Sequence, residues 1–277
     1  MSRITACFER LADEQKKALV VYVVAGDPVQ SVTVDLMHAL VAAGVSIIEL
    51  GVPFTDPEAD GPAIQLATRR ALDAGTTLTD TLALLEQFRA RDQTTPVVLM
   101  GYLNPIEQMG YEVFAQRAAL AGADGTITVN VPPEEGELLD ESLIKAGIDP
   151  VYLLAPTTTE SRAKYIFSRS RGFAYYVSLK GTTGASTLDV TDVTARLDKL
   201  RPHATLPIAV GFGIKNGDAA RQVAEIADGV VIGAAVVDIM AANADNPDVI
   251  PEKVGEFVRG IRTAMDGAGT TEQANDP

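Results

Sequence analysis

Two rhythms of apolar residues alternate along the chain. Short, nearly continuous runs rich in Val, Ile and Leu occupy residues 19–25, 46–50, 96–100, 125–129, 150–154, 173–178, 206–210 and 229–232. Runs of that length with little polar alternation read as strands covered on both faces, the condition of a parallel sheet. Between them apolar residues return every three or four positions across 29–43, 63–71, 111–121, 134–146, 161–170, 190–200 and 217–226, with a last such stretch at 251–264. That is the spacing of one helix face. An amphipathic segment at 4–14 precedes the first strand.

Strands alternating with helices pair in parallel, because each crossover helix returns the chain to the same end of the sheet. Eight such units fit an α/β (β/α)8 TIM barrel better than an open doubly wound sheet. The first strand is followed by AGDP at 25–28, not by the G-x-G-x-x-G turn of a dinucleotide fold. Residues 1–265 are therefore read as a single barrel with an extra N-terminal helix and a short helix after strand eight, and 266–277 as a polar, disordered tail. The strand-to-strand spacing is even except between the second and third strands, where it doubles.

Composition narrows the partners more than the fold. Hydrophobic residues make up 47% of the chain, ample for a core, while the formal net charge of −14 disfavours nucleic acid and anionic membranes. No apolar run reaches the ~18 residues of a membrane helix, and the polar N-terminus does not resemble a signal peptide, so a cytoplasmic protein is expected. Cys7, the single cysteine, excludes an internal disulfide and reads as a packing residue. Neither His38 nor His203 has a ligand-like neighbour at metal spacing, so neither a metal site nor a Ser-His-Asp mechanism is indicated.

Acid–base work then falls to carboxylates, tyrosines or lysines. Glu49 stands near the end of the apolar second strand, and Asp60 lies in the acidic, Pro- and Gly-rich loop that follows it. Two carboxylates, one on a rigid strand end and one on the next loop, can donate and withdraw protons around one substrate. Each residue alone has an ordinary reading: a strand-end acid as a helix cap or half of an ion pair, Asp before Gly-Pro as a turn. In a barrel, however, the loops after the strands build the active site, and Glu49, Asp60, Tyr102, Tyr175, Thr183 and Phe212 all fall at or beyond strand C-termini. The last two units add an anion site: VGFGI at 210–214 follows strand seven, and GAA at 233–235 opens a short apolar helix at 236–242. Glycine-bared amides at a helix N-terminus hold phosphate. The small, hydroxyl-rich segment 178–186 reads as a candidate lid.

These residues also carry a resemblance. ELGVPFTDP at 49–57 and ADGPAIQ at 59–65, supported by AGDP at 25–28, LMGYLNPI at 99–106, PPEE at 132–135, APTTT at 155–159, YVS at 176–178, GTTG at 181–184 and VGFGI at 210–214, resemble the tryptophan synthase α-subunit family over roughly residues 8–265. The resemblance implies retro-aldol cleavage of indole-3-glycerol phosphate to indole and glyceraldehyde 3-phosphate, with no cofactor in this subunit. It implies a β subunit as partner, in a heterotetramer, that receives the indole. Glu49 and Asp60 would be the catalytic pair, assisted by Tyr175 and Thr183. Tyr22, Met100, Tyr102, Val129, Leu153, Phe212 and Ile232 would line the indole pocket, and amides of Gly184, Gly213, Gly233 and Ala234 would hold the phosphate. Pro53, Asp56, Pro57 and Asn104 would face the β subunit.

Four departures from the family pattern stand out. Ala234 replaces a usual serine at the phosphate helix, Asn130 replaces a usual aspartate near the partner surface, and Val21 and Val24 replace a usual proline and threonine. Two rivals follow from the same residues. Lys180 at the end of strand six could form a Schiff base in an aldolase of simpler sugar phosphates, and Ala234 with Asn130 could mark a mainly regulatory subunit.

Overall fold

The computed structural model describes residues 2–178, 190–211 and 213–267. Its strands are β1 (Ala18–Val24), β2 (Ile47–Gly51), β3 (Val97–Gly101), β4 (Gly125–Thr128), β5 (Asp149–Pro150), β6 (Leu153–Leu154), β7 (Ala174–Val177), β8 (Ile208–Gly211) and β9 (Gly229–Ile232). All pairings are parallel, in the order β5-β4-β3-β2-β1-β9-β8-β7-β6. The two ends of that order are one strand bent in the middle. Asp149–Pro150 pairs with β4, Leu153–Leu154 pairs with β7, and the two intervening residues bond both ways: Val151 N–H donates to Thr126 O at 2.8 Å, and Tyr152 O accepts from Tyr175 N–H at 3.1 Å. The sheet thus closes on itself, and the expected (β/α)8 barrel is the fold found, its fifth strand split in two.

Around the barrel run α1 (Arg3–Asp13), α2 (Gln30–Ala42), α3 (Pro62–Asp73), α4 (Leu78–Arg89), α5 (Leu103–Met109), α6 (Tyr111–Ala121), α7 (Glu137–Lys145), α8 (Glu160–Arg169), α9 (Val190–Leu200), α10 (Gly217–Ile226), α11 (Ala234–Ala241) and α12 (Ile250–Asp266). The doubled spacing between the second and third strands is filled by two helices, α3 and α4, where the apolar pattern predicts one. The additional α4 has a clear cause. Thr77 and Asp80 cap each other's backbone amides in a capping box, and Leu78, Leu82, Leu85 and Phe88 bury one face. The short α5, directly after β3, likewise lies outside the predicted helices.

Strand alternation sorts the core into two layers. Leu19, Val21, Val23, Ile48 and Leu50 point outward to the helices, whereas Val20, Ile47, Val98, Ile127, Val151, Phe173, Ala209 and Val231 fill the interior. The interior is floored by α1, whose Ile4, Cys7, Phe8 and Leu11 share one helical face and are buried against it. Burying such side chains contributes roughly 1.5–3 kcal/mol apiece relative to exposure. Polar contacts fix α1 at the strands' N-terminal ends: its cap Ser2 donates to Asp149 at 2.6 Å, and Arg3 pairs with Asp124 at 2.8 Å. With that mouth sealed, only the C-terminal mouth is left for chemistry. No helix among the described residues is long and apolar enough to cross a membrane.

Candidate active site

Parity along β2 puts Ile47, Glu49 and Gly51 on the inner face, and the register sets Glu49 between Tyr22 of β1 and Val98 of β3. The glutamate is 1% exposed, and neither carboxylate oxygen has a hydrogen-bond partner among the described residues. Burial, and secondarily the charge of Asp60, push its carboxyl up to about 8. A carboxyl without donors in an apolar wall holds its proton at neutral pH. It is an acid ready to give that proton up.

Asp60 is placed from the other side. It ends the loop that leaves β2, just before Pro62 opens α3, and is half-buried. Tyr102 donates its hydroxyl to Asp60 Oδ2 at 3.0 Å and accepts the Ala59 amide at 3.0 Å, so one phenol holds both side chain and loop. The Tyr102 ring packs on Phe54, with centroids 5.4 Å apart. Burial raises the Asp60 carboxyl above its ordinary value, against the lowering effect of the Tyr102 bond. Farther along α3, Arg70 clamps the fully buried Asp27 of the loop after β1, with bonds of 2.6 and 2.8 Å. The sequence singles out the AGDP run but not the pairing of Asp27 with Arg70. Arg70 lies in the helix that Asp60 leads into, so the clamp fixes that helix to β1.

Two tyrosines complete the ring of polar groups. Tyr22 and Tyr175 lie on inner faces of β1 and β7, and their hydroxyls occupy the space above Gly51 and Gly211, where any Cβ would collide with them. Glycine at these two places is what lets each ring cross to the neighbouring strand. Both phenols are held well above their ordinary value, first by burial and then by the two carboxylates.

Of the other expected positions, Met100, Val129 and Leu153 pack at the upper end of the barrel interior. Ile232 does not. On β9 and in the residue just after it the inward positions are Gly229, Val231 and Gly233, so Ile232 faces the helices beside Val21 and Val230, and Val231 takes the interior place. This corrects the Ile232 assignment, and the signal is present in the sequence: if Gly233 opens to the mouth, its even neighbours cannot. Ile127 is also interior and is not among the positions the sequence points to.

Gly233 caps α11 and Ala234 is its first residue; the amides of Val236 and Val237 both turn back to Gly233 O, at 2.9 and 3.1 Å. The first-turn amides of Ala234 and Ala235 therefore have no acceptor within the helix. Gly213, at φ +49°, follows the neighbouring strand β8. Thr183, Gly184, Lys180 and Phe212 lie outside the described residues. Asn130 accepts the Leu103 amide at 2.9 Å through Oδ1, capping the start of α5; an aspartate could accept the same bond, so the substitution removes charge without removing this contact.

Residues 8–266 match the family described as tryptophan synthase alpha chain. The tryptophan synthase alpha chain of Nitrosococcus oceani is 54% identical over 96% of this chain and 98% of its own length. The solved tryptophan synthase subunit alpha of Legionella pneumophila superposes with a TM-score of 0.91 at 43% identity, covering 96% of this chain and 99% of that one. A chain of the tryptophan synthase complex of Pyrococcus furiosus superposes at 0.80 with 33% identity, over 89% and 98% of the two chains.

Proposed function

The chain belongs to the tryptophan synthase alpha chain family, lyases that cleave indole-3-glycerol phosphate and release indole for a β subunit, and we propose that Glu49 and Asp60 carry the cleavage here. The observation that carries this reading is Glu49: buried, without hydrogen-bond partners among the described residues, and neutral up to about pH 8.

Cleavage of the bond between indole C3 and the glycerol chain requires C3 to become tetrahedral. The neutral Glu49 gives its proton to C3, and the positive charge spreads to the ring nitrogen. Asp60, steadied by Tyr102, accepts the indole N–H and offsets that charge. The hydroxyl on the first glycerol carbon then loses its proton to the Glu49 carboxylate, its oxygen becomes the aldehyde oxygen, and the C3–carbon bond electrons return to the ring. Glu49 ends as it began, protonated. Tyr175 stands close enough to both carboxylates to feel them, and orders the reacting end. Tyr22, Met100, Val129, Leu153 and Val231 supply the apolar walls.

The phosphate sits on the first-turn amides of α11 with Gly213 beside them, a site made from backbone dipoles in a chain whose net charge is −14. The reaction takes place in the cytoplasm, in a heterotetramer whose β subunit meets the face around Pro53, Asp56, Pro57 and Asn104. The test is indole release by the full chain, alone and with a β subunit, beside Glu49→Gln and Asp60→Asn. The chain contains no Trp, so indole fluorescence reports product over little protein background. Activity that rises with the partner and collapses in both variants is the expected result. Equal activity in variants and wild type would remove both carboxylates from the mechanism, and reductive trapping of Lys180 by borohydride with substrate would replace it with a Schiff base.

A further inference from the structure

An apolar wall for indole has no use for the hydroxyl of Tyr22. Phenylalanine would fill the same volume, so the hydroxyl at this mouth needs a reason of its own. Three strands fix where this hydroxyl points. Tyr22 is beside Glu49 in register, its Cβ lies 3.3 Å from the place a Cβ on Gly233 would take, and its hydroxyl reaches over Gly51, one inward position nearer the mouth than Glu49. Tyr175 makes the counterpart reach from β7 over Gly211. The two are not equivalent. Tyr22 clusters with Ala67 and Ala71 of α3, the helix that Asp60 leads into, with Ala63 and Ile64 packed against them, and after burial Asp60 is the carboxylate that raises its phenol most, whereas at Tyr175 it is Glu49.

Asp60 has room for another donor. Tyr102 bonds Oδ2, and a carboxylate accepts at both oxygens with about four lone-pair sites in all. Among the described residues, the titratable groups facing Asp60 are Tyr102 from the loop after β3, Tyr22 from β1, Glu49 from β2 and Tyr175 from β7, with Glu58 near Tyr102 and Asp27 near Tyr22. None of these carries positive charge, so the donors that steady Asp60 as an anion are phenols.

We propose that Tyr22 is a positioning residue for the indole end of the substrate: with substrate seated, its hydroxyl donates to Asp60 Oδ1, so that phenols hold both oxygens while the carboxylate receives the indole N–H. The inference rests on Asp60 being the acceptor of that N–H. No bond to Tyr22 forms or breaks.

Tyr22→Phe, made in the full chain and assayed with its β subunit, isolates the hydroxyl at constant volume. The expected result is a three- to tenfold fall in kcat with a smaller change in KM, an unchanged melting temperature, and an acid limb of kcat/KM moved to higher pH, because a lost donor favours the protonated Asp60. Indole affinity, read by fluorescence, should fall two- to fivefold on Tyr22→Phe in the wild-type background and not at all in Asp60→Asn. Wild-type kcat with an unmoved acid limb overturns the inference, as does an equal loss of indole affinity in both backgrounds. Asp60→Asn alone separates the layers: if it keeps full activity, the acceptor assignment itself fails, and if it collapses while Tyr22→Phe behaves as wild type, only the role of Tyr22 fails.

Discussion

Asp124 and Glu49 are buried carboxylates at opposite mouths of one barrel, and the protein treats them in opposite ways. Asp124, at the N-terminal end of β4, is 4% exposed; it receives Arg3 at 2.8 Å on Oδ1, and both Arg89 at 2.7 Å and the Val97 amide at 2.8 Å on Oδ2. Arg89 donates further to the carbonyls of Gly122 and Thr95, at 2.9 and 2.7 Å. Glu49, buried to the same degree, receives no donor from the described residues. The supply of donors separates them: at the floor Asp124 meets two guanidiniums and an amide and ties α1, α4 and β4 together, while at the open mouth Glu49 meets none and keeps its proton. Burial of charge is therefore no mark of function. Burial without partners, at the end where the loops converge, is.

The contrast breaks most visibly at Glu49 itself. Glu49→Gln keeps the volume and removes the transferable proton, and cleavage should fall by about 10²–10⁴, the usual worth of positioned acid–base catalysis. Folded yield should be undiminished. A variant within threefold of wild type in an indole-release assay would place the proton transfer elsewhere. Asp124→Ala should do the reverse. Removing Asp124 takes the carboxylate from two guanidiniums, one of them nearly buried and left with Asp92 at 3.8 Å, and costs about 3–5 kcal/mol of stability, measured by chemical unfolding, while kcat per folded molecule stays unchanged. Loss of activity in proportion to Glu49→Gln would mean that the floor is coupled to the chemistry.

The same contrast sets a pH dependence. In the unfolded chain Glu49 loses its proton near 4.5, and in the folded protein near 8. Between those values the unfolded state binds fewer protons, so this group lowers stability as pH rises through the window and keeps it lowered above. Glutamine has no such slope. Glu49→Gln should therefore melt above wild type at pH 8.5 by an amount worth a few kcal/mol, at roughly 1.4 kcal/mol for every pH unit that separates the two titrations, and lose that advantage towards pH 5. Parallel melting curves across the range would mean that Glu49 is ionised in the folded state. Cleavage by wild type should decline above pH 8 for the same reason, as the acid form disappears.

The barrel is legible in apolar runs because each strand is wetted on neither face, which leaves continuous Val, Ile and Leu. Where two helices follow one strand the pattern falters. The second helix after β2 is not among the predicted ones although Leu78, Leu82, Leu85 and Phe88 recur at helical spacing, because the polar Thr77 to Asp80 capping box at its start resembles a loop. The split of the fifth strand is a matter of which neighbour each backbone amide bonds, and no side-chain pattern announces it. At the site, Glu49 and Asp60 stand out as misplaced charge. Ile232 is misassigned because apolar character says buried but not on which side, and only parity from Gly233 separates it from Val231. The Tyr102 bond to Asp60 and the Arg70 clamp on Asp27 join residues about forty positions apart, beyond any local pattern.

The smallest effect is expected where the mouth holds an anion rather than an acid. At the floor, the charge of Asp124 is met by arginines; above the mouth, the helix start of α11 offers amides alone, with Gly233 at the cap and Ala234 at the first position, neither contributing a side-chain bond. Ala234→Ser adds one hydroxyl donor at that start without disturbing the Val236 and Val237 amides, which already return to Gly233 O. A single hydrogen bond to a charged or neutral acceptor is worth about 0.5–3 kcal/mol net, and competition from water at a half-buried helix start places this one near the lower end. The KM for the phosphorylated substrate should fall roughly two- to fivefold, kcat should not change, and affinity for indole, which has no phosphate, should stay the same. That last control gives the experiment its force. A serine that tightened indole and the phosphorylated substrate alike would be acting through the barrel wall at Tyr22 and Gly233, and one that tightened neither would place the phosphate away from α11, leaving the anion at this mouth to be held by something other than the helix dipole.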